Sequence, residues 1–323
     1  MDNLSLRLIA EQRLHHSNNR FINPFNNAQY GNFWRLVRWK LLSKNPFKQL
    51  YRNEKKTPVD VDLQPLRETT DVSITFVKHS TVIINYFGKR IIVDPVFFGL
   101  FPFIVDFTPL TFNVSHIPQP HIILITHGHY DHLDVPSLKK LAPDTPVLSP
   151  LGYQGFLREI GFHNITSLDW YDSYSSSELE IILLPCNHWT MRNLFTGPNR
   201  GLWGSFLLRG TADRPCIFIS GDTAYFRGFR EIGQQFHIDL AIINVGAYEP
   251  RWFMAQSHMN PQEAVRAFLE LGANKLMVVH WGTFRLGDEP VYLPPIEVGK
   301  EMAAHGLSHR LINIRHGETY QLT

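Results

Sequence analysis

Three imidazoles and a carboxylate fall within six residues at His127-Gly-His129-Tyr-Asp131-His132, directly after the apolar run Ile122-Ile-Leu-Ile125. In a chain leaving a strand, the i, i+2 spacing puts His127 and His129 on one side. Asp131 and His132 come from the next turn and face a second point. Neutral imidazole nitrogens at about 2.0–2.1 Å and a carboxylate oxygen at a similar distance satisfy Zn2+ or another borderline divalent ion. A His-rich surface loop, or histidines satisfied inside a core, explains one or two of these residues but not four on one loop.

A metal centre needs more ligands than one loop provides, and ligand-type residues stand at the ends of three other apolar runs. His188 follows Leu183-Leu-Pro-Cys-Asn, Asp222 follows Ile217-Phe-Ile-Ser-Gly, and His280 follows Met277-Val-Val. Each alone reads as a core histidine, a turn aspartate or a strand end. Together with the His127 loop they read as ligands that a sheet delivers to one rim.

The elements that must do this are short strands from Asp71 onward. Val72–Val77, Val82–Tyr86 and Arg90–Val93 read as an antiparallel meander, with His79-Ser80-Thr81 and Phe87-Gly88-Lys89 between them. Later strands are expected at Ile122–Thr126, Leu179–Leu184, Gly204–Leu208, Cys216–Ser220, Leu240–Val245 and Leu276–His280. Helical patterns cover Val135–Leu141, Gly152–Ile160, Phe226–Gln235, Pro261–Leu271 and Pro295–His305, the fourth with Asn260 as its cap. Strand groups alternating with helices imply sheets covered by helices.

A chain of 323 residues with 44% hydrophobic and 19% charged residues can bury a large core. The net charge of +2 is too small to argue for nucleic acid. Cys186 and Cys216 are the only cysteines, so neither a disulfide framework nor a thiolate zinc site can be built, and Cys186 receives no role. No secretory signal is read in residues 1–16, and Val96–Val105, interrupted by Pro102, is about half the ~20 apolar residues a spanning helix needs. A cytoplasmic protein, peripheral on a membrane, is therefore expected.

The N-terminal stretch supplies the reason for expecting a membrane. Between Glu11 and Glu54 there is no acidic residue, while Arg13, Arg20, Arg35, Arg38, Lys40, Lys44, Lys48 and Arg52 are basic. Phe33, Trp34, Leu36, Val37 and Leu41 would share one side of a helix flanked by cations, the mixture of an interfacial helix. The same pattern suits a helix packed on the body of the protein with snorkelling Lys and Arg. Residues 1–65 are expected to form a basic, aromatic extension and residues 66–323 the catalytic domain.

In order and context, His127-x-His129-x-Asp131-His132, His188, Asp222 and His280, with Asp94 in Ile92-Val-Asp-Pro, resemble the ligand motifs of the metallo-beta-lactamase superfamily. That resemblance implies an αββα sandwich with the site at one edge. A closer resemblance lies in Phe76-Val-Lys-His-Ser-Thr81, Leu202-Trp-Gly-Ser205, Ser220–Tyr225, Val245–Met254, His258–Ala264 and His280-Trp-Gly-Thr-Phe284. These look like the phospholipase D family that hydrolyses N-acylphosphatidylethanolamines, and Arg20-Phe-Ile-Asn-Pro24 resembles its N-terminal segment. The Phe-rich stretch Val96–Leu110 and the flanks Ser257 and Met259 of His258 depart from that family.

The resemblance implies two zinc ions, or other divalent metals. His127, His129 and His188 would hold one, Asp131, His132 and His280 the other, and Asp222 would bridge them. Asp94 is expected to steady a ligand imidazole. A bridging hydroxide would attack phosphorus in line, giving phosphatidic acid and an N-acylethanolamine. Asp131 is read as ligand rather than base, and His258 as the group that protonates the leaving group or positions the substrate. A phospholipid substrate, a membrane surface and a homodimer are the implied partners. The competing expectations are a metallo-lactonase on a small sugar-phosphate-like substrate and a non-catalytic, membrane-associated binding protein.

Overall fold

The computed structural model describes residues 4–26, 33–68, 71–176, 178–193, 195–211 and 214–322. Residues 1–3 and 27–32 of the expected N-terminal extension lie outside the described residues.

The short apolar runs form two seven-stranded sheets. One sheet has the order Thr319–Gln321, Ser73–Lys78, Thr81–Tyr86, Lys89–Val93, Ile122–Leu124, Val147–Pro150, Ile165–Leu168. Its first four strands pair antiparallel and its later pairings are parallel. The other has the order Leu311–Ile312, Lys275–Val279, Leu240–Asn244, Ile217–Ile219, Ser205–Gly210, Leu179–Leu184, Ser173–Ser175, parallel in its first four strands and antiparallel thereafter.

Alternate side chains of each strand point to opposite faces, and both faces are apolar. Ile74, Phe76, Ile84 and Leu124 meet Leu183, Phe206, Ile219 and Met277 in a central layer between the sheets. The alternate residues Val77, Ile83, Ile92 and Ile123 pack outward against Leu138 and Leu157 of the helices Val135–Leu138 and Gln154–Glu159. On the other side Phe218, Ile243 and Val278 pack against Phe229, Phe268 and Met302 of Gly228–Gln235, Pro261–Leu271 and Leu293–Ala304. The result is the expected αββα sandwich. Pro261–Leu271 starts where expected because Asn260 accepts from Glu263 N while the Glu263 carboxylate accepts from Asn260 N.

Strand direction does the work of positioning. Ser73–Lys78, Lys89–Val93, Ile122–Leu124, Leu179–Leu184, Ile217–Ile219 and Lys275–Val279 end at one rim, each just before a His or Asp-bearing turn. This is the carboxyl-end placement that open sheets of this kind offer to ligands. Three of the rim residues, His79 (φ 52°), Asp94 (φ 43°) and His280 (φ 70°), are non-glycine residues in the left-handed region. Such a conformation costs on the order of 1–3 kcal/mol each and persists where the surroundings over-determine it.

Parts of the N-terminal segment pack into the body of the protein. Leu6 and Ile9, on the helix Leu6–Glu11, are fully buried and join the two main core clusters. Farther on, Phe33–Val37 runs into a π-helical turn, Arg38–Leu42, closed by Ser43 N donating to Arg38 O at 2.9 Å. The i to i+5 turn breaks the 3.6 periodicity. Trp39, outside the expected apolar face, is therefore the buried anchor: it packs with Ala247 and Met254 and donates Nε1–H to Asp288 at 3.0 Å. Trp34, Leu41 and Leu42 remain 76% exposed and Leu36 is also exposed.

Candidate metal centre

The rim turns bring their ligand-type side chains into two adjoining clusters. His127, His129, His188 and Asp222 form one, and His79, Asp131, His132 and His280 form the other. In the first, His127 Nε2 lies 2.9 Å from His129 Nδ1, and His188 Nε2 lies 3.3 Å from the same atom. Three imidazole nitrogens thus face one point, with Asp222 Oδ2 3.8 Å from His127 Nε2 and 3.9 Å from His188 Nε2. In the second, Asp131 Oδ2 is 3.1 Å from His79 Nε2, 3.3 Å from His280 Nε2 and 3.7 Å from His132 Nε2.

Asp222 belongs to both. Its Oδ2 stands 3.2 Å from His132 Nε2 and its Oδ1 3.4 Å from His280 Nε2. Asn244 Nδ2 donates to Oδ1 at 2.7 Å and fixes the carboxylate. Asp222 turns inward because Gly221 takes φ +57° there, where a Cβ would come within 3.0 Å of Gly204 O.

Each of several ring nitrogens pointing away from the centre has its own partner, which sets ring orientation. His132 Nδ1 lies 2.7 Å from Asp94 Oδ2, and the same carboxylate accepts from Thr126 N at 2.8 Å and Thr126 Oγ1 at 2.6 Å. Asp94 thus stands behind the His132 imidazole. His127 Nδ1 faces Thr126 Oγ1 at 3.0 Å, and His188 Nδ1 donates to Ser257 O at 3.0 Å.

The chemistry of this donor set fits divalent metal. His132 Nε2 is buried and makes no well-directed hydrogen bond even with Asp222 Oδ2 3.2 Å away, although buried polar atoms are rarely left so. Burial lowers His129 to about 4 and His127 and His188 well below the usual imidazole range, which keeps their lone pairs free. Burial alone would raise the Asp222 carboxyl, but the surrounding imidazoles, His132 first, hold it well below the usual range. The same balance keeps Asp131 ionised. Two carboxylates against two divalent cations would leave a positive centre, suited to an anionic substrate.

His258 adjoins both clusters and forms a further group of ligand-type atoms with Asp222 and His280, all within 4.8 Å of one another. Its Nδ1 is 3.9 Å from Asp222 Oδ2, and its ring is 5.4 Å from that of His188 and 5.7 Å from that of His280. Burial lowers it to about 4. Cys186, which donates Sγ–H toward Asp222 O at 3.5 Å, is buried, and burial raises its thiol, so it stays protonated.

Sequence reasoning missed His79. It reads as a hairpin residue between two strands, yet it obeys the strand-end rule that found the others. A register shift between Phe76 and Lys78 bends the strand there and re-aims its end. The Phe-rich stretch reaches the metal loop: Phe101 stacks on Phe103 and meets Tyr130 edge-on at 5.2 Å, with Phe103 81% exposed. A cavity of about 790 Å3 lies elsewhere, behind Trp281 and His316, and contains none of the clustered ligands.

A family model described as a beta-lactamase superfamily domain matches residues 89–281. The chain is 30% identical over 305 residues to an uncharacterized protein of Mycobacterium tuberculosis, covering 90% of this chain and 80% of that one. It is 31% identical over 247 residues to N-acyl-phosphatidylethanolamine-hydrolyzing phospholipase D 1 of Caenorhabditis elegans, covering 71% and 68%. A mitochondrial enzyme of that same description from Saccharomyces cerevisiae is 33% identical over 237 residues, 68% of this chain and 49% of that one. Among solved structures, isothiocyanate hydrolase from Delia radicum gut bacteria shares the fold with a TM-score of 0.64 at 19% identity, over 77% of this chain and 98% of that one.

Proposed function

The chain belongs to the metallo-beta-lactamase superfamily and is a metal-dependent hydrolase, and from that premise we propose that it is a phosphodiesterase of phospholipase D type. Its substrates are N-acylphosphatidylethanolamine-like phospholipids, cleaved to phosphatidic acid and an N-acylethanolamine. The observation that carries this reading is the pair of ligand clusters sharing Asp222. The choice of substrate is supported by the similarity to the worm and yeast enzymes. Exposed aromatic and aliphatic side chains at Phe101, Phe103, Trp34, Leu41, Leu42 and Trp252 offer contact for acyl chains and a lipid surface.

His127, His129, His188 and Asp222 would hold one metal, and Asp131, His132, His280 and Asp222 the other. Divalent metal held by these residues would supply Lewis acidity toward phosphate oxygens and would lower the pKa of water to about 7. The chain's own groups do the rest. Asp131 and Asp222 keep their charge and face the ligand imidazoles, so neither is a free base. Cys186 remains a thiol behind Asp222, which leaves water as the nucleophile on phosphorus. The bond from phosphorus to the ethanolamine oxygen breaks, and that oxygen takes up a proton. His258, neutral at pH 7, positions the leaving side.

Incubating the protein with N-acylphosphatidylethanolamine, phosphatidylcholine and a lactone panel, with and without chelator, tests the reading by product mass. Chelator-sensitive release of N-acylethanolamine from the first substrate is expected. Turnover confined to the lactones would replace phosphodiester cleavage with ester cleavage at the same centre.

No helix among the described residues is long and apolar enough to cross a membrane, and the proposed membrane contact is peripheral. Each of Trp34, Leu41 and Leu42 would gain about 1.5–3 kcal/mol if fully buried in lipid. Changing the three together to Ser should weaken binding to anionic vesicles at least about tenfold, while hydrolysis of a short-chain, monomeric substrate stays the same. Vesicle binding equal to that of the parent protein would move the lipid contact elsewhere.

A further inference from the structure

Asn23 and Asn26 hold residues of the metal rim that lie more than 160 positions away in the chain. Asn23 Nδ2 donates to Asn187 Oδ1 at 2.8 Å and to His188 O at 2.9 Å, while its Oδ1 accepts from Phe25 N at 2.9 Å. Asn26 Nδ2 donates to the same Asn187 Oδ1 at 2.5 Å and to Gln256 O at 3.2 Å. Asn187 is buried and is itself a junction. Its N donates to Thr223 Oγ1 at 3.0 Å, its Nδ2 to Tyr225 O at 3.4 Å, and its O accepts from Ala224 N at 2.8 Å.

Two rim loops therefore meet on these two amides, the one carrying Asn187 and His188 and Gln256-Ser257-His258, whose Ser257 O orients His188 through Nδ1, and the loop following Asp222 joins them through Asn187. The segment that brings the amides there is fastened at both ends. His15 and His16 place Nε2 at 2.6 and 2.8 Å from the two oxygens of Asp169, and Phe21 N donates to Asn199 O at 2.8 Å. Beyond the amides, Arg35 donates to Gln256 Oε1 and Trp252 O.

We propose that the N-terminal segment is part of the metal centre, with Asn23 and Asn26 as positioning residues that hold the His188 loop in register with Asp222 and His258. The assignment rests on the metal-centre reading above and is independent of the substrate. It separates two roles for the N-terminal region. Residues up to Asn26 serve the centre, whereas the exposed apolar residues from Trp34 to Leu42 serve the surface.

Asn23→Asp keeps the shape and the acceptor toward Phe25 N but sets a carboxylate oxygen against Asn187 Oδ1 and His188 O. Loss of such an outer partner typically costs 10–100-fold in metal affinity. In the full chain loaded with Co2+, we expect Asn23→Asp to release one of two metal equivalents to a chelator about 10–100-fold faster, with an altered visible ligand-field spectrum. Phe268→Leu, in the core away from the rim, is the control for general destabilisation and should leave rate and spectrum as in the parent. Should Asn23→Asp not accumulate as folded protein, Asn23→Ala and Asn26→Ala are read in the same way. Parent-like release and spectra in these variants, with only a lower melting temperature, would overturn the positioning role. A parent protein that binds no metal would instead overturn the metal-centre reading itself.

Discussion

Asp222→Asn is expected to lower kcat/KM by about 10³-fold or more and to remove bound metal from both clusters while leaving the chain folded. Asp222 approaches nitrogens of both groups, 3.8 and 3.9 Å from His127 and His188 and 3.2 and 3.4 Å from His132 and His280. The amide keeps an oxygen for Asn244 Nδ2, so the local hydrogen bond survives. What it loses is the negative charge that Asp222 would offer to metal in both clusters. Several kcal/mol of transition-state stabilisation would depend on that metal, and each 1.36 kcal/mol is tenfold in rate. Metal analysis on the purified variant, beside its circular dichroism, checks this. A folded, fully loaded and active Asp222→Asn protein would remove Asp222 from the centre.

Asp94→Asn is the second large effect, and it acts through a tautomer. Asp94 touches no proposed metal position. Its Oδ2 accepts from His132 Nδ1 and Thr126 Oγ1, and its Oδ1 accepts from Thr126 N. An amide nitrogen in place of Oδ2 reverses the bond to His132: Nδ1 must accept, so the proton moves to Nε2 and points into the cluster of Asp131, His132 and His280. A protonated Nε2 cannot ligate. We expect metal affinity at that cluster to fall by about 10–100-fold, and activity at sub-saturating metal to fall with it. Excess metal should restore part of the rate. Titrating Zn2+ into the metal-free variant measures the loss, and parent-like affinity would show that Asp94 has no hold on His132.

Much of the centre was legible before any coordinates because its ligands obey one rule, a His or Asp following an apolar run. His127, His129, Asp131, His132, His188, Asp222 and His280 all obey it, and the structure gathers them into two adjoining clusters. His79 obeys it too but hides in a hairpin whose turn gave it an ordinary explanation. The meander from Ser73 to Val93 was also legible, to within a residue or so at each end, because its period-2 pattern is local.

Other features were hidden for physical reasons. Thr319–Gln321 completes the first sheet by pairing with Ser73–Lys78, and Asn23 bonds Asn187, contacts that no local periodicity encodes. Val147-Leu-Ser-Pro150 and Ile165-Thr-Ser-Leu168 mix their apolar residues with polar ones or proline and do not rise above their surroundings. The basic N-terminal helix was assigned its apolar face on a 3.6-residue period, and the π turn at Arg38–Leu42 buries Trp39 instead. For the same reason deletion of the first 50 residues cannot isolate membrane binding. It would remove Leu6 and Ile9 from the core and both positioning amides from the rim.

Hydrolysis of N-acylphosphatidylethanolamine by the metal-loaded protein in 18O-labelled water tests the central claim most directly. Water attack on phosphorus at the two-metal centre predicts one label in the phosphatidic acid, none in the N-acylethanolamine, and no products after chelation. Label in the ethanolamide, or no cleavage of this substrate by fully loaded protein, would contradict the account.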